Sequence, residues 1–223
     1  MIIAFNCGHT AIKGGAGYGA VGKLNEVTED RAVGTMVMDK LRGMGHTVID
    51  CTVDNAISQQ AYLDKACQLA NNSLSTLFVS LHYNAGGGNG TEIFTYKNEN
   101  VPQAKNVLNN LVNLGFRNRG IKDGSGLYVI RNTKMTAMLI EVCFVDNDID
   151  YNKYKAIGRR KVAQAIADGI AGAVRKEDNM TYAEAITILT KKGVVTTPDY
   201  WNNAVKCVNN LEQLIINMAK ALG

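Results

Sequence analysis

Leu77-Phe78-Val79-Ser80-Leu81-His82 is the stretch on which the fold turns. Its nearly unbroken apolar run is too short for a helix and reads as a strand buried on both faces, as in a parallel sheet. Upstream, residues 2–6 repeat the pattern, a short apolar run ended by Gly8 and followed by His9. Residues 47–51, 91–96, 127–130 and 138–142 read as further strands. Helical spacing lies between them. Val33, Val37 and Leu41 fall four apart within residues 26–42, and Gly43 and Gly45 stop that helix. Asp54 is expected to cap a helix through about residue 71. Residues 103–114 and a long amphipathic stretch at 151–174 complete the set. This alternation predicts an α/β domain over residues 1–175, with a largely parallel, twisted sheet flanked by helices on both faces.

The 223 residues are 46% hydrophobic and 20% charged, which excludes a disordered chain. A net charge of +4 is too weak to point to nucleic acid. No stretch approaches the ~20 apolar residues of a membrane span, so no membrane insertion is expected. The start carries no basic n-region, and five scattered cysteines form no Cys-x-x-Cys pair. These features predict reduced thiols and synthesis in the cytoplasm without a classical signal peptide. Polar residues 176–180 read as a linker. Residues 181–223 read as a small all-helical module, with short helices at 182–191, 200–208 and 211–222 broken by Gly193 and Pro198. Tyr182, Tyr200 and Trp201 are candidates either for stacking on sugars or for the core of that module.

Chemistry concentrates at predicted strand ends. His9 and His82 lie at or just past the carboxyl ends of two strands, where ligands gather in open α/β sheets. Glu141 interrupts the apolar strand Met138-Leu-Ile-Glu-Val142, and a buried carboxylate without a partner is costly. Glu26 opens the first long helix. Two histidines and a glutamate with one open position form a common catalytic zinc site, in which water is activated and a second carboxylate moves protons. His9, Glu26 and His82 are assigned to the metal and Glu141 to the acid/base role, with Glu29, one turn on, as a rival ligand. His46 reads as solvent-facing. Gly17-Tyr-Gly-Ala-Val-Gly22 fits a dinucleotide fingerprint, but about ten residues separate it from the strand, and Leu24 stands where a P-loop needs Ser or Thr. It reads as a flexible loop shaping a cleft wall. Cys7 and Cys143, each two residues from a site residue, read as buried fillers sooner than nucleophiles.

Several of these segments resemble one family in order and spacing. They are Asn6-Cys7-Gly8-His9, the loop from Gly15-Ala16 to Gly22, Glu26 with Arg31 behind it, Ser80-Leu81-His82-Tyr83-Asn84-Ala85, Gly90-Thr91-Glu92, and Leu139 through Asn147. Over about residues 1–175 the chain resembles the zinc-dependent N-acetylmuramoyl-L-alanine amidases of the Amidase_3 type. The resemblance implies a Zn2+ cofactor held by His9, Glu26 and His82, which settles Glu26 over Glu29. It implies Glu141 as the catalytic carboxylate, and Arg131 and Asn84 on the substrate. The implied reaction cuts bacterial peptidoglycan between the lactyl group of N-acetylmuramic acid and L-alanine. Thr10, Thr136 and Val142-Cys143 depart from the family pattern, where glycine, proline and alanine-glycine are usual. The resemblance further implies a phage-endolysin-like enzyme released to the wall through a holin, its tail serving wall binding or self-association into a homo-oligomer. A zinc peptidase acting within the stem peptide and a silent wall-binding module are the alternatives.

Overall fold

A computed structural model describes residues 1–172, 182–198, 201, 215, 216, 218 and 219. The chain divides into two compact units, Met1–Arg175 and Lys176–Gly223. The first is a three-layer α/β domain. Its strands are β1 (Ile2–Cys7), β2 (Thr47–Asp50), β3 (Leu77–Asn84), β4 (Thr91–Thr95), β5 (Asn118–Asp123) and β6 (Thr136–Phe144). They form one sheet in the order β2-β1-β3-β6-β4-β5. Neighbours pair in parallel except β4 against β6, which is antiparallel.

Side chains alternate across the sheet with the two-residue period of a strand. Ile3, Phe5 and Cys7 of β1, and Leu77, Val79 and Leu81 of β3, enter the larger core. That core is closed by α1 (Glu26–Gly43), α3 (Pro102–Asn113) and α6 (Arg159–Ile170). Ala4, Phe78, Ala137 and Leu139 face the opposite layer, where α2 (Gln59–Asn71) and α4 (Tyr128–Asn132) cover them. Asn6, Ser80, His82 and Glu141 share that second parity. They continue it to the carboxyl end of the strands, where apolar cover gives way to polar side chains.

Several elements differ from the sequence expectation. Residues 127–130 form the start of helix α4, not a strand. Asn118–Asp123, unread in the sequence, is the edge strand β5. The long helix at 151–174 is two, α5 (Asp148–Ile157) and α6, because Gly158 between them holds φ at 80°. Asp54 caps nothing; Ser58 caps α2 by accepting the Ala61 amide, and Asp54 pairs instead with Arg31. His46 is half-buried, not fully solvent-facing.

In the second unit, α7 (Tyr182–Lys191) contributes Ala185, Ile186 and Leu189 to a small apolar cluster with Val195, Ile215, Ile216 and Ala219. Tyr182 and Trp201 pack against this cluster, so both rings serve a core. The expected linker at 176–180, Tyr200, and nearly all of the helices expected at 200–208 and 211–222 lie outside the described residues. Among the described residues no helix is long and apolar enough to cross a membrane.

Candidate metal centre

Three elements deliver three donors to one point. β1 ends at Cys7, and Gly8 then lets the chain pass beneath the His82 ring, where an added Cβ would sit 2.3 Å from its Cε1. His9 follows at φ 63°, a left-handed conformation that a non-glycine residue keeps only when its surroundings hold it. Those surroundings are specific. The His9 amide donates to the Tyr62 hydroxyl at 2.8 Å. Arg31 clamps the carbonyls of Gly8 and His9 and is itself held by Asp54. Thr10, at a departure from the family pattern, bonds Ala16 and Gly17 and closes the glycine loop back on the strand.

Glu26 is the first residue of α1, capped by the Asn25 side chain. Two backbone amides aim its carboxylate: Ala20 donates to Oε2 at 2.8 Å and Tyr83 to Oε1 at 3.0 Å. The glycine loop is therefore a pinned support of the site, through Gly17 and Ala20, and more than a cleft wall. Oε1 lies 3.0 Å from His9 Nε2 and 3.3 Å from His82 Nδ1, and the two nitrogens are 3.1 Å apart.

The hydrogen bonds fix which nitrogens carry protons. His9 Nδ1 faces the Gly17 carbonyl at 3.1 Å, which can only accept, so Nδ1 carries a hydrogen and in the neutral ring Nε2 is bare. Asn6 donates its Nδ2 to the Cys51 carbonyl, so its Oδ1 accepts from Ser80, and Ser80 in turn accepts from His82 Nε2. His82 Nδ1 is then bare as well. With both rings neutral, two lone pairs and a carboxylate oxygen converge with no hydrogen among them. Ligand distances of about 2.0–2.2 Å make the edges of a zinc tetrahedron roughly 3.3 Å. The separations of 3.0–3.3 Å match that edge, and the donor set suits zinc. Burial pushes the Glu26 carboxyl up, but His82 and then His9, when protonated, outweigh burial through hydrogen bonds and charge and hold it well below the usual carboxylate range. Burial lowers the His82 pKa, favouring the neutral imidazole a metal requires.

A fourth donor lies beneath. Asp30, one turn after Glu26 on α1, is fully buried, and its ligand oxygen falls within 4.8 Å of the other three donor atoms. Neither of its oxygens has a hydrogen-bond partner, and burial followed by the Glu26 charge pushes its pKa well up. The sequence reading missed Asp30, although it lies four residues before Gly34 and eight before Met38 on the buried face of α1. Glu29, the rival ligand, points elsewhere, into a bidentate pair with Arg159 and a bond from Tyr154.

Glu141 stands beside His82 in the β3–β6 register. Its Oε2 is buried without a partner, and burial, then the charges of Glu26 and Glu92, raises its pKa well above normal. Asn84 closes β3 and donates to Glu92 at 2.7 Å. Arg131 is not brought to this cluster. Its guanidinium donates to the Ser125 and Gly126 carbonyls and lines a cavity with Tyr96, Met135 and Thr136, where β6 begins. Cys7 and Cys143 are buried in the larger core, and burial pushes the Cys7 thiol up to about 12 and Cys143 well up too. Neither is a thiolate nucleophile near neutral pH.

Sheet and pocket together define a class: an α/β domain with a two-histidine, one-glutamate pocket at the carboxyl edge of its strands and a buried carboxylate beside it. The chain belongs to the N-acetylmuramoyl-L-alanine amidase family Amidase_3, whose model matches residues 3–172. It is 34% identical over 172 residues to an uncharacterised protein of Clostridium perfringens, covering 72% of this chain and 50% of that protein. It is 34% identical over 168 residues to the amidase LytC of Bacillus subtilis, covering 70% of this chain and 33% of LytC. The chain thus matches about half the length, or less, of these relatives. The catalytic domain of the CD27L endolysin targeting Clostridia difficile superposes with a TM-score of 0.72 at 29% identity, over 79% of this chain and 99% of that domain.

Proposed function

We propose that the chain is a zinc-dependent peptidoglycan hydrolase that cuts the amide between the lactyl group of N-acetylmuramic acid and L-alanine, acting as a phage or prophage endolysin. One observation carries the reading: two imidazole nitrogens and a carboxylate oxygen meet at 3.0–3.3 Å, with the buried, unpartnered Oε2 of Glu141 one strand away. Family membership and the likeness to an endolysin catalytic domain support it.

His9, Glu26 and His82 would hold the ion, with His9 and His82 locked in their tautomers by Gly17 and by the Ser80–Asn6 chain. Bound there, zinc supplies Lewis acidity toward the amide carbonyl and makes water more acidic. Glu141 takes a proton from the attacking water and passes it to the departing alanine nitrogen. Its raised proton affinity suits both halves of that transfer. Asn84, fixed by Glu92, presents its remaining polar surface to the substrate. Arg131 holds the loop before α4 in this reading. Release from the cytoplasm through a holin belongs to the same proposal. Nothing among the described residues supports self-association through the tail.

Mass spectrometry of digested peptidoglycan tests the bond. Free lactyl carboxyls paired with new L-alanine amino termini are expected. New ends within the stem peptide would mean a peptidase, and pelleting with walls without any cleavage would mean a binding protein.

A further inference from the structure

Arg119 lies on β5 between Asn118, which pairs with Thr91, and Ile121, which pairs with Ile93. A register shift there sets Arg119 and Gly120 against the single residue Glu92, which Arg119 Nε reaches, and Glu92 stands opposite Glu141. Glu141, Glu92 and Arg119 form a row leading away from His82 across three successive strands. Glu92 is nearly fully buried and takes Asn84 on one oxygen and Arg119 Nε on the other, at 2.7 and 3.0 Å. The guanidinium lies 4.9 Å over the Phe144 ring. That ring is held in place by the backbone at Gly88, where an added Cβ would come within 2.3 Å of it.

The consequence is a guanidinium fixed at one nitrogen and one face, with its fork unused. Among the described residues neither terminal nitrogen of Arg119 has a partner, and its side chain is 31% exposed. A planar fork with two free donors matches a carboxylate in two parallel hydrogen bonds. Strands are about 4.8 Å apart, so Arg119 stands roughly 10 Å from Glu141. An extended chain advances about 3.5 Å per residue. A carboxylate on the second stem residue thus lies about 7 Å beyond the scissile amide, within reach of a side chain leaning back toward Glu141.

We propose that Arg119 binds a free carboxylate carried by the second residue of the stem peptide, and that the enzyme selects stems on that group. The inference rests on the amidase reading above. It deepens that reading by naming what the cleft recognises beyond the bond it cuts. Glu92 and Asn84 act as positioning residues for the guanidinium.

The test uses two muramyl tetrapeptides, one with the free acid at the second residue and one with the carboxamide. The parent chain should cleave the acid form with about tenfold higher kcat/KM, mostly through KM. Arg119→Met should bring the two within about twofold while bound metal stays as in the parent. Arg119→Lys, which keeps the charge beside Glu92 but lacks the fork, should retain only a small part of the preference, and melting curves of both variants confirm folding. Equal cleavage by the parent, or a preference that survives Arg119→Met, overturns the assignment of Arg119 and leaves the amidase reading standing. Failure of the parent to cut the lactyl amide in either peptide or in whole peptidoglycan overturns both.

Discussion

His82 Nδ1 stands 3.1 Å from His9 Nε2, and with both rings neutral neither nitrogen carries a hydrogen toward the other. Two electron pairs held that close repel unless a cation lies between them, and their backbone and side-chain partners prevent either ring from turning away.

Zinc should therefore stabilise the fold strongly. At about a thousandfold excess over its Kd the gain is about 4 kcal/mol, a rise of roughly 10 °C in Tm for a chain of this size. Differential scanning fluorimetry before and after chelation measures it. A chelator that leaves Tm unchanged would sink the metal assignment. His82→Ala should abolish the response.

Glu141→Gln should bind zinc as the parent does and lose about a thousandfold in turnover. Metal analysis beside a turbidity assay on purified walls separates the two effects. A variant that lyses walls near the parent rate would remove Glu141 from the chemistry.

Asp30→Asn should weaken zinc binding about tenfold or more while leaving the chelated protein at least as stable, because the buried charge helps only when a cation is there to meet it. Competition with a chromophoric chelator gives the affinity, and urea denaturation in EDTA gives the stability. Unchanged affinity would make Asp30 a bystander.

Glu29 contributes to the acid limb of stability. Burial pushes its pKa up, but the hydrogen bonds and charge of Arg159 and the bond from Tyr154 outweigh burial and leave it below the ordinary carboxylate value. The folded state thus binds a proton less readily than the unfolded chain. The stabilisation is complete above about pH 5 and fades as pH drops through the folded pKa. Glu29→Gln should cost about 1 kcal/mol at pH 7 and almost nothing near pH 2, seen as urea midpoints that converge on acidification.

The large apolar runs were legible: β1, β3, β6 and α1 carry periodicities that no competing structure satisfies. β5 was not, since Asn118-Arg-Gly-Ile-Lys-Asp holds one large apolar residue and survives as a strand because β4 offers it an edge. Tyr128-Val-Ile has strand-like residues, yet packing on α2 and β6 bends it into α4, a case where a short apolar run is ambiguous. In the site, the histidines and Glu141 betrayed themselves by position. The proton arrangement did not, because it depends on Asn6, Ser80 and Cys51 meeting across strands. Asp30 hid behind its solvent-compatible chemistry, and the place of Arg131 depended on α4.

The parallel pairing of β3 with β6 is where two halves of the enzyme join. Every side chain proposed to hold the ion belongs to the first 82 residues, while Glu141, Glu92 and Arg119 come from the later chain. A slip of one residue along that pairing would turn Glu141 onto the opposite surface of the sheet. On the proposed reading, capture of the ion and hydrolysis are thus separable inheritances. A descendant could go silent as a lytic agent while still holding its metal, and an engineer could exchange the later half to redirect which walls are dissolved without rebuilding the earlier one.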